Sequence, residues 1–384
     1  IASYDELRRA GGIPWPFGFS MPTPLPSTQP SKTLVLHIGD HKTGSTTIQY
    51  AFAGKRVNLA GRKILYPGTL SHNRLRGQID ALSRRGPARQ QAETWLSRTA
   101  ERFAASPADT LLLSAETLDG ADPAQVKEMV DRFFAPVIDA LRIAAYVRPH
   151  APRLLSSFAT QTKSGRFSGT LEAFHHVTLE QQRLLYLPRF SKWRDTFGAA
   201  FRLRPMIRER LVNTSVLDDF ITHMLGCSDY RLKSLPAANS SLPLRDLMRL
   251  KLLQSCQGHL SQKDRHALGW ELVNHEDALA DPAPQPKLAL HRALAEEIRN
   301  SYAADASAMD QAFFDGVATL RPDLDHAVDT AIPEPQSVDP AEYFSAEELR
   351  SLTVLANLTA TMLKNKRADW QARLKKRRVD ALSL

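Results

Sequence analysis

Residues 36–49 read LHIGDHKTGSTTIQ, and the fold class can be predicted by working outward from this stretch. The apolar run that ends at Gly39 predicts a buried strand, and the residues after Gly44 predict a helix, which is the layout of a phosphate-binding loop. Four residues separate these glycines, as in nucleotide triphosphatases, but the lysine of such loops follows the second glycine. Here Lys42 stands two residues before it. The stretch therefore predicts an anion-binding loop, for a ligand other than an ordinary triphosphate.

Composition limits the class of protein. The chain has 384 residues, 43% of them hydrophobic, which is enough for a sizeable core. The formal charge of +9 favours anionic partners such as nucleotides, polyanionic glycans, nucleic acid or acidic lipid. Two cysteines without a partner motif cannot build a disulfide framework or a four-cysteine zinc site. The chain has neither an apolar run of roughly 18 to 20 residues nor a secretion-signal pattern, so we expect a cytoplasmic protein without a transmembrane segment.

Strand and helix patterns alternate after the first strand, which predicts a parallel sheet. Strands are predicted at 33–38, 63–66, 110–116, 141–147 and 199–206. Helices are predicted after the loop, after residue 148, and at 90–105, 122–134, 243–260, 287–316 and 345–380. We therefore expect a proline-rich N-terminal arm at 1–32, a three-layer P-loop-type α/β domain with a parallel sheet flanked by helices at 33–316, and a helical C-terminal extension at 317–384.

The chemistry of the loop follows from its position at the carboxyl end of a parallel strand, where ligands of such sheets collect. Gly39 and Gly44 let the backbone approach an anion, and Lys42 places a cation on it. His41 can contact the ligand or orient it. A tight turn with solvated polar residues is the competing interpretation. Hydroxyl donors are supplied by Thr43, Ser45, Thr46 and Thr47.

A second cationic motif follows the strand at 141–147. The sequence RPHAPRLLSSF places Ser156 eight residues after Arg148. The order HKTGSTTIQ resembles the phosphosulfate-binding loop of sulfotransferases that use 3′-phosphoadenosine 5′-phosphosulfate. In that superfamily an arginine and a serine with this spacing hold the 3′-phosphate. The resemblance covers roughly 33–316 and is to the bacterial sulfotransferase-like family, including the stretch with Asn239.

The resemblance implies an enzyme that moves a sulfuryl group from this donor to an acceptor hydroxyl by in-line displacement, leaving adenosine 3′,5′-bisphosphate. Lys42 would be the cation near the bridging oxygen, and no metal would be required. Asp40 stands where the family commonly has a proline or a small residue. Its negative charge is unfavourable beside an anion unless the side chain points away or pairs with a cation. The implied donor-binding residues are Gly39, His41, Lys42, Thr43, Gly44, Ser45, Thr46, Thr47, Arg148 and Ser156.

Two residues are candidates for the base that takes the acceptor proton. Glu116 follows the strand TLLLS, where cytosolic sulfotransferases carry a catalytic histidine. His72 lies where carbohydrate and heparan-type sulfotransferases usually place a glutamate. A histidine has its ordinary pKa nearer working pH, whereas a glutamate needs its pKa raised. We favour Glu116, with His72 as an acceptor contact or alternate base.

Two other functions compete with this interpretation. A P-loop ATP-dependent kinase or nucleotide hydrolase would use the same layout, but the placement of Lys42 opposes it. A non-catalytic binder of nucleic acid or polyanion is suggested by charge alone, yet no nucleic-acid module is recognisable, so we expect no nucleic-acid partner. The resemblance allows a hydroxyl of a glycan, lipid or small molecule, or an amine, as the acceptor, and the positive charge favours an anionic acceptor. The sequence does not specify an oligomeric state.

Overall fold

The computed structural model describes residues 31–68, 70–234, 242–278 and 285–363, together with 372, 376, 379 and 380. The strands are β1 (Thr33–Gly39), β2 (Val57–Leu59), β3 (Ile64–Leu65), β4 (Thr110–Ser114), β5 (Ala140–Val147), β6 (Phe201–Pro205) and β7 (Tyr230–Leu232). The α-helices are α1 (Ser45–Ala53), α2 (Arg74–Leu82), α3 (Pro87–Ala105), α4 (Pro123–Met129), α5 (His150–Lys163), α6 (Leu171–Glu180), α7 (Leu187–Phe197), α8 (Val216–Asp219), α9 (Leu244–Ser255), α10 (Gln262–Ala278), α11 (Arg292–Phe313), α12 (Arg321–Asp329) and α13 (Ala346–Leu363).

A parallel sheet with the strand order β3-β4-β1-β5-β6 forms the centre of the fold. β1 pairs in parallel with β4 on one side and with β5 on the other. The carboxyl ends of these three strands therefore meet at one edge of the sheet, and the loop after each strand begins there. The predicted α/β architecture with a parallel sheet flanked by helices is confirmed. β2 and β7 form a separate antiparallel pair, which the sequence analysis did not predict.

Helices cover both faces of the sheet, which explains why its central strands read as continuous apolar runs. Leu34 and Leu36 of β1 point into a core that α2 to α7 and α11 complete. Val35, between them, points to the other face and packs with Ile48 of α1 and Leu217 of α8. Successive side chains of β1 are therefore buried on opposite sides, so neither face of this strand is available to solvent.

The structure differs from the predicted elements in several places. The strand predicted at 63–66 is only two residues long. The helices that lie outside every predicted helix range are α2, α6, α7, α8, α10 and α12. α2 carries a polar and basic sequence, RLRGQIDAL, in which only a narrow apolar stripe faces the core. The described part of the helix predicted at 345–380 is α13. The proline-rich arm lies outside the described residues, apart from its last two positions.

The helical C-terminal third reaches back to the carboxyl edge of the sheet. α11 and α12 pack against α5, the helix that follows β5. Asp305 of α11 accepts hydrogen bonds from the backbone N–H groups of Tyr186 (2.9 Å) and Leu187 (3.0 Å) and from His150 at the start of α5 (3.2 Å). One buried carboxylate thus ties the first turn of α5 to the first turn of α7. Within the described ranges, no helix combines the length and apolar character needed to cross a bilayer.

Candidate functional site

Packing determines the path of the loop between β1 and α1. Gly39 has a φ of 94°, and a Cβ placed there would lie 3.2 Å from the Cα of Glu116. Gly44 has a φ of 80°, and a Cβ there would lie 2.8 Å from Cγ1 of Val216. Positive φ combined with such close neighbours is tolerated only by glycine. The loop therefore lies directly against the segment after β4 on one side and against α8 on the other.

The start of α1 has the features of an anion site. Among the residues that the structure describes, no side chain caps this helix or places an acidic group in its first turn, so nothing there neutralises the positive end of the helix dipole. The Ser45 hydroxyl is buried and has no hydrogen-bond partner in the described part of the chain. Thr46 and Thr47 are half-buried in the same turn. Thr43 differs, because its hydroxyl donates to the Asp40 carbonyl (2.5 Å) and stabilises the turn itself.

Lys42 and Arg148 lie side by side at this edge of the sheet. Nη1 of Arg148 donates to the carbonyl oxygen of Lys42 at 3.2 Å. Lys42 has a φ of 66°, a left-handed conformation that costs a non-glycine residue about 1–2 kcal/mol. Within the described part of the chain, neither side chain pairs with a carboxylate. Burial first, and then the nearby Lys163 and Arg153, lower the pKa of Lys42 to about 8. Two partly desolvated cations are thus available for an anion.

Ser156 lies nearly two turns into α5 and is half-buried. It stands on the helix that begins directly after Arg148 and Pro149, so the two sequence-predicted residues are held by one rigid junction of strand and helix. The hydroxyl of Tyr186 donates to the carbonyl oxygen of Arg148 at 2.8 Å and supports that junction from α7. Asn239, Ser240 and Ser241, which the resemblance also included, lie outside the described residues.

Asp40, the acidic residue of the loop, is fully buried and paired with two arginines. Its Oδ1 lies 3.1 Å from Nη2 of Arg153, and its Oδ2 lies 2.8 Å from Nη2 of Arg189. These guanidinium groups hold the pKa of the carboxyl well below its usual range despite the cost of burial. Asp40 thus meets the condition expected from the sequence, because a pair of cations neutralises the charge that would oppose an anion.

Two further carboxylates flank His41. Nδ1 of His41 lies 3.9 Å from Oε2 of Glu116, and Nε2 lies 3.6 Å from Oδ1 of Asp119. Asp119 also contacts Nη1 of Arg189 at 3.2 Å. Burial, followed by the neighbouring Asp40 carboxylate, raises the pKa of Asp119 to about 6. A carboxylate with a raised pKa at a cleft is a candidate proton acceptor.

The sequence analysis missed Asp119. The available signal was its position, three residues after Glu116 in the turn that follows β4, which is the 3₁₀ segment Glu116–Gly120. Such a turn brings residues three apart onto the same side. Both carboxylates therefore stand at the carboxyl edge of the sheet beside the loop, within 4 Å of the His41 ring.

His72 occupies a different environment. Its Nδ1 accepts a hydrogen bond from the backbone N–H of Ser114 at 3.0 Å, and its Nε2 bonds the carbonyl oxygen of Pro67. The side chain is buried, and burial lowers its pKa. Because both ring nitrogens are engaged by backbone groups, His72 has no nitrogen left for an acceptor proton. The geometry supports a structural role that joins the loop after β3 to β4, in place of the alternate-base role considered above.

A cavity of about 730 Å³ opens beside Lys42, between the 3₁₀ turn after β4 and helices α5, α6 and α7. We call it the basic cavity. Asp119 is the one carboxylate that the described residues contribute to its lining, and Arg148 and Ser156 do not line it. Its cationic lining residues are Lys42, Arg153, Arg166, Arg183, Arg189 and Lys192.

Comparisons of the chain with family models, with curated proteins and with solved structures each found no match. In the ranges that the structure describes, no group of three or more His, Cys, Asp or Glu side chains is arranged to hold a metal ion. The site is therefore characterised by its own geometry. It combines an uncapped helix start and two available cations with a neighbouring cavity that has a carboxylate at its inner end.

Proposed function

We propose that the protein is a sulfotransferase of the P-loop type that moves a sulfuryl group from 3′-phosphoadenosine 5′-phosphosulfate to an acceptor hydroxyl. The observation that carries the proposal is the contact between Arg148 and the carbonyl oxygen of Lys42. This donor has anionic groups at both ends of its ribose. A site for it needs two cationic positions within the span of one nucleotide. This contact, and the closeness by which the Arg148 charge helps to lower the pKa of Lys42, support such a spacing.

The residues available for the donor divide into two groups. The backbone at the start of α1, the Ser45 hydroxyl and the ammonium of Lys42 would hold the 5′-phosphosulfate, because partly desolvated donors without protein partners bind an anion strongly. The guanidinium of Arg148, with the hydroxyl of Ser156 on the next helix, would hold the 3′-phosphate. A nucleotide triphosphate leaves this second position without a ligand, which favours the sulfuryl donor.

In-line transfer forms a bond from the acceptor oxygen to sulfur while the bond from sulfur to the 5′-phosphate oxygen breaks. The protein must accept the acceptor proton and stabilise the charge that develops on the leaving oxygen. Lys42 is suited to the second task. For the first, Asp119 is favoured over Glu116, because Asp119 lines the basic cavity together with Lys42 and its pKa is raised toward neutrality.

Ligand-dependent thermal stability tests the donor site. Adenosine 3′,5′-bisphosphate should raise the melting temperature, and adenosine 5′-phosphosulfate, which lacks the 3′-phosphate, should raise it much less. ATP with magnesium serves as the probe for a kinase or hydrolase. Stabilisation by ATP with magnesium, combined with no response to the bisphosphate, would overturn the proposal.

Turnover is tested separately with a donor that carries labelled sulfate. Incubation with a mixture of glycan, lipid and small-molecule acceptors should transfer the label to a product, and we expect the same rate with and without a metal chelator. Failure of the label to leave the donor in the presence of every acceptor class, in a protein that binds the bisphosphate, would reduce the assignment to nucleotide binding.

A further inference from the structure

The positive charge of the basic cavity is concentrated at its mouth. Arg153 and Arg189, deeper in the lining, are both paired with the buried carboxylate of Asp40. Arg166, Arg183 and Lys192 are exposed, and in the described part of the chain none of them pairs with a carboxylate. Three cations without partners around one opening create a local excess that attracts an anion.

Between the mouth and Lys42 the lining mixes apolar side chains, such as Leu184 and Leu185, with uncharged polar ones. Amides and hydroxyls can donate and accept hydrogen bonds, which suits the hydroxyl groups of a saccharide. Phe174 and Trp193 also border the cavity, but their side chains are only 4% and 1% exposed, so neither offers a face on which a nucleotide base could stack. The uncharged polar lining residues include Ser157, Thr160, Gln161, Thr178, Gln181 and Gln182.

The depth of the cavity separates two tasks. Lys42 and Asp119 border its inner end, next to the loop that would hold the donor, whereas Arg183 and Lys192 border it from the segments around α7. The cavity has a volume of about 730 Å³, which is typical of sites for drug-sized ligands. A ligand that fills it contacts both the inner end and the mouth of the cavity. The cations at the mouth would then contact groups remote from the reacting hydroxyl.

We infer that the acceptor is an acidic oligosaccharide, and that Arg166, Arg183 and Lys192 bind carboxylate or sulfate groups on sugar units next to the one that is modified. This inference rests on the proposed function, because the saccharide is an acceptor only if the protein transfers a sulfuryl group. The binding of an acidic saccharide in the basic cavity is nevertheless measurable without turnover. A neutral glycan or an uncharged lipid would leave the three cations without a ligand.

The test compares trigalacturonate with maltotriose, two α-linked trisaccharides that differ mainly in their carboxylates. Calorimetric titrations use the wild-type chain saturated with adenosine 3′,5′-bisphosphate. We expect trigalacturonate to bind at least about tenfold more tightly than maltotriose, with an affinity that falls as salt is added. The triple variant Arg166→Gln, Arg183→Gln, Lys192→Gln should lose this preference and retain the wild-type affinity for the bisphosphate.

A matched control changes net charge by the same amount at exposed positions that do not line the cavity, Lys63→Gln, Arg84→Gln and Arg85→Gln. It should keep the preference for trigalacturonate. Equal affinity for the two trisaccharides, or displacement of trigalacturonate by the bisphosphate, overturns the inference while leaving the sulfotransferase proposal in place. Absence of bisphosphate binding, with the saccharide preference intact, overturns the proposed function and supports the acidic-saccharide site.

Discussion

Arg148 donates a hydrogen bond from its guanidinium to the main-chain carbonyl of Lys42, across 106 positions of sequence. The contact joins the loop after β1 to the end of β5, so an anion held by one residue is within the influence of the other. It also reduces the conformational freedom of Lys42, whose left-handed backbone needs support from its surroundings. The proposed donor site depends on this pair, and the first two predictions test it.

Removal of Arg148 and removal of Lys42 should have different consequences. Arg148→Ala should weaken the binding of adenosine 3′,5′-bisphosphate by about 10-fold to 100-fold, because hydrogen bonds to charged groups contribute about 1.5–3 kcal/mol. Lys42→Ala should lower kcat by about 100-fold or more, because it removes the charge that faces the leaving oxygen. Titration calorimetry and label transfer measure the two effects. Arg84→Ala, at an exposed position, is the control, and wild-type behaviour of both site variants would disprove the assignment.

The lowered pKa of Lys42 predicts a pH dependence of donor binding. The protonated amine binds the anion, and in the free protein it loses its proton as pH rises through about 8. Affinity for the bisphosphate should therefore change little between about pH 7 and pH 8, where its phosphates are fully ionised, and fall above pH 8 by up to about tenfold per pH unit. Lys42→Arg, which stays protonated, should flatten the profile over the same range. A wild-type affinity that does not change between pH 7 and about pH 9.5 would contradict the expected titration.

Substitution of the two carboxylates beside His41 should identify the proton acceptor. If Asp119 takes the acceptor proton, kcat/KM rises with pH through about 6, because only the ionised carboxylate is a base. Asp119→Asn should then lower kcat by about 100-fold to 10,000-fold and abolish this rise. Glu116→Gln should lower kcat by a smaller factor and leave the rise of kcat/KM with pH unchanged. The opposite order of the two variants would assign proton transfer to Glu116.

His72 should affect stability more than binding. His72→Ala leaves the buried N–H of Ser114 and the carbonyl of Pro67 without their partner, which should lower the free energy of unfolding by about 2–4 kcal/mol. Urea denaturation measures this loss. The affinity of the folded variant for the bisphosphate should stay within about twofold of the wild-type value. If His72→Ala had normal stability but its kcat/KM no longer fell at acidic pH, His72 would again be a candidate base.

Asp40→Asn should be among the most destabilising single changes at the site. It leaves Arg153 and Arg189 without their shared buried counter-charge, and breaking a buried ion pair costs about 3–5 kcal/mol. Because the folded-state pKa of Asp40 lies below the usual carboxyl value, its contribution is present above about pH 4 and is lost as pH falls. Asp131→Asn, which removes an exposed pair with Lys127, is the matched control and should cost less than about 1 kcal/mol. Equal denaturation midpoints for the two variants would refute this account.

Short-range features of the sequence were sufficient for the central architecture. The strand before Gly39, the helix after Gly44 and the buried strands β4 and β5 follow from apolar runs and from glycines with positive φ, which act within a few residues. Continuous apolar runs also predict a sheet covered on both faces, as observed. α2 was missed because its sequence is polar, and the packing of a narrow apolar stripe against the core makes it helical.

Tertiary structure determined which side chains form hydrogen bonds and ion pairs with one another. Asp40 finds its counter-charges 113 and 149 positions away, and nothing near it in the sequence indicates them. His72 was likewise a candidate base from the sequence, and only the tertiary structure places the N–H of Ser114 in β4 against its ring. A hydrogen bond or ion pair requires atoms within a few ångströms, and the chain sets that proximity only when distant segments pack. The loop and the candidate site residues could thus be predicted from local sequence patterns, whereas the contacts of each residue were determined by long-range packing.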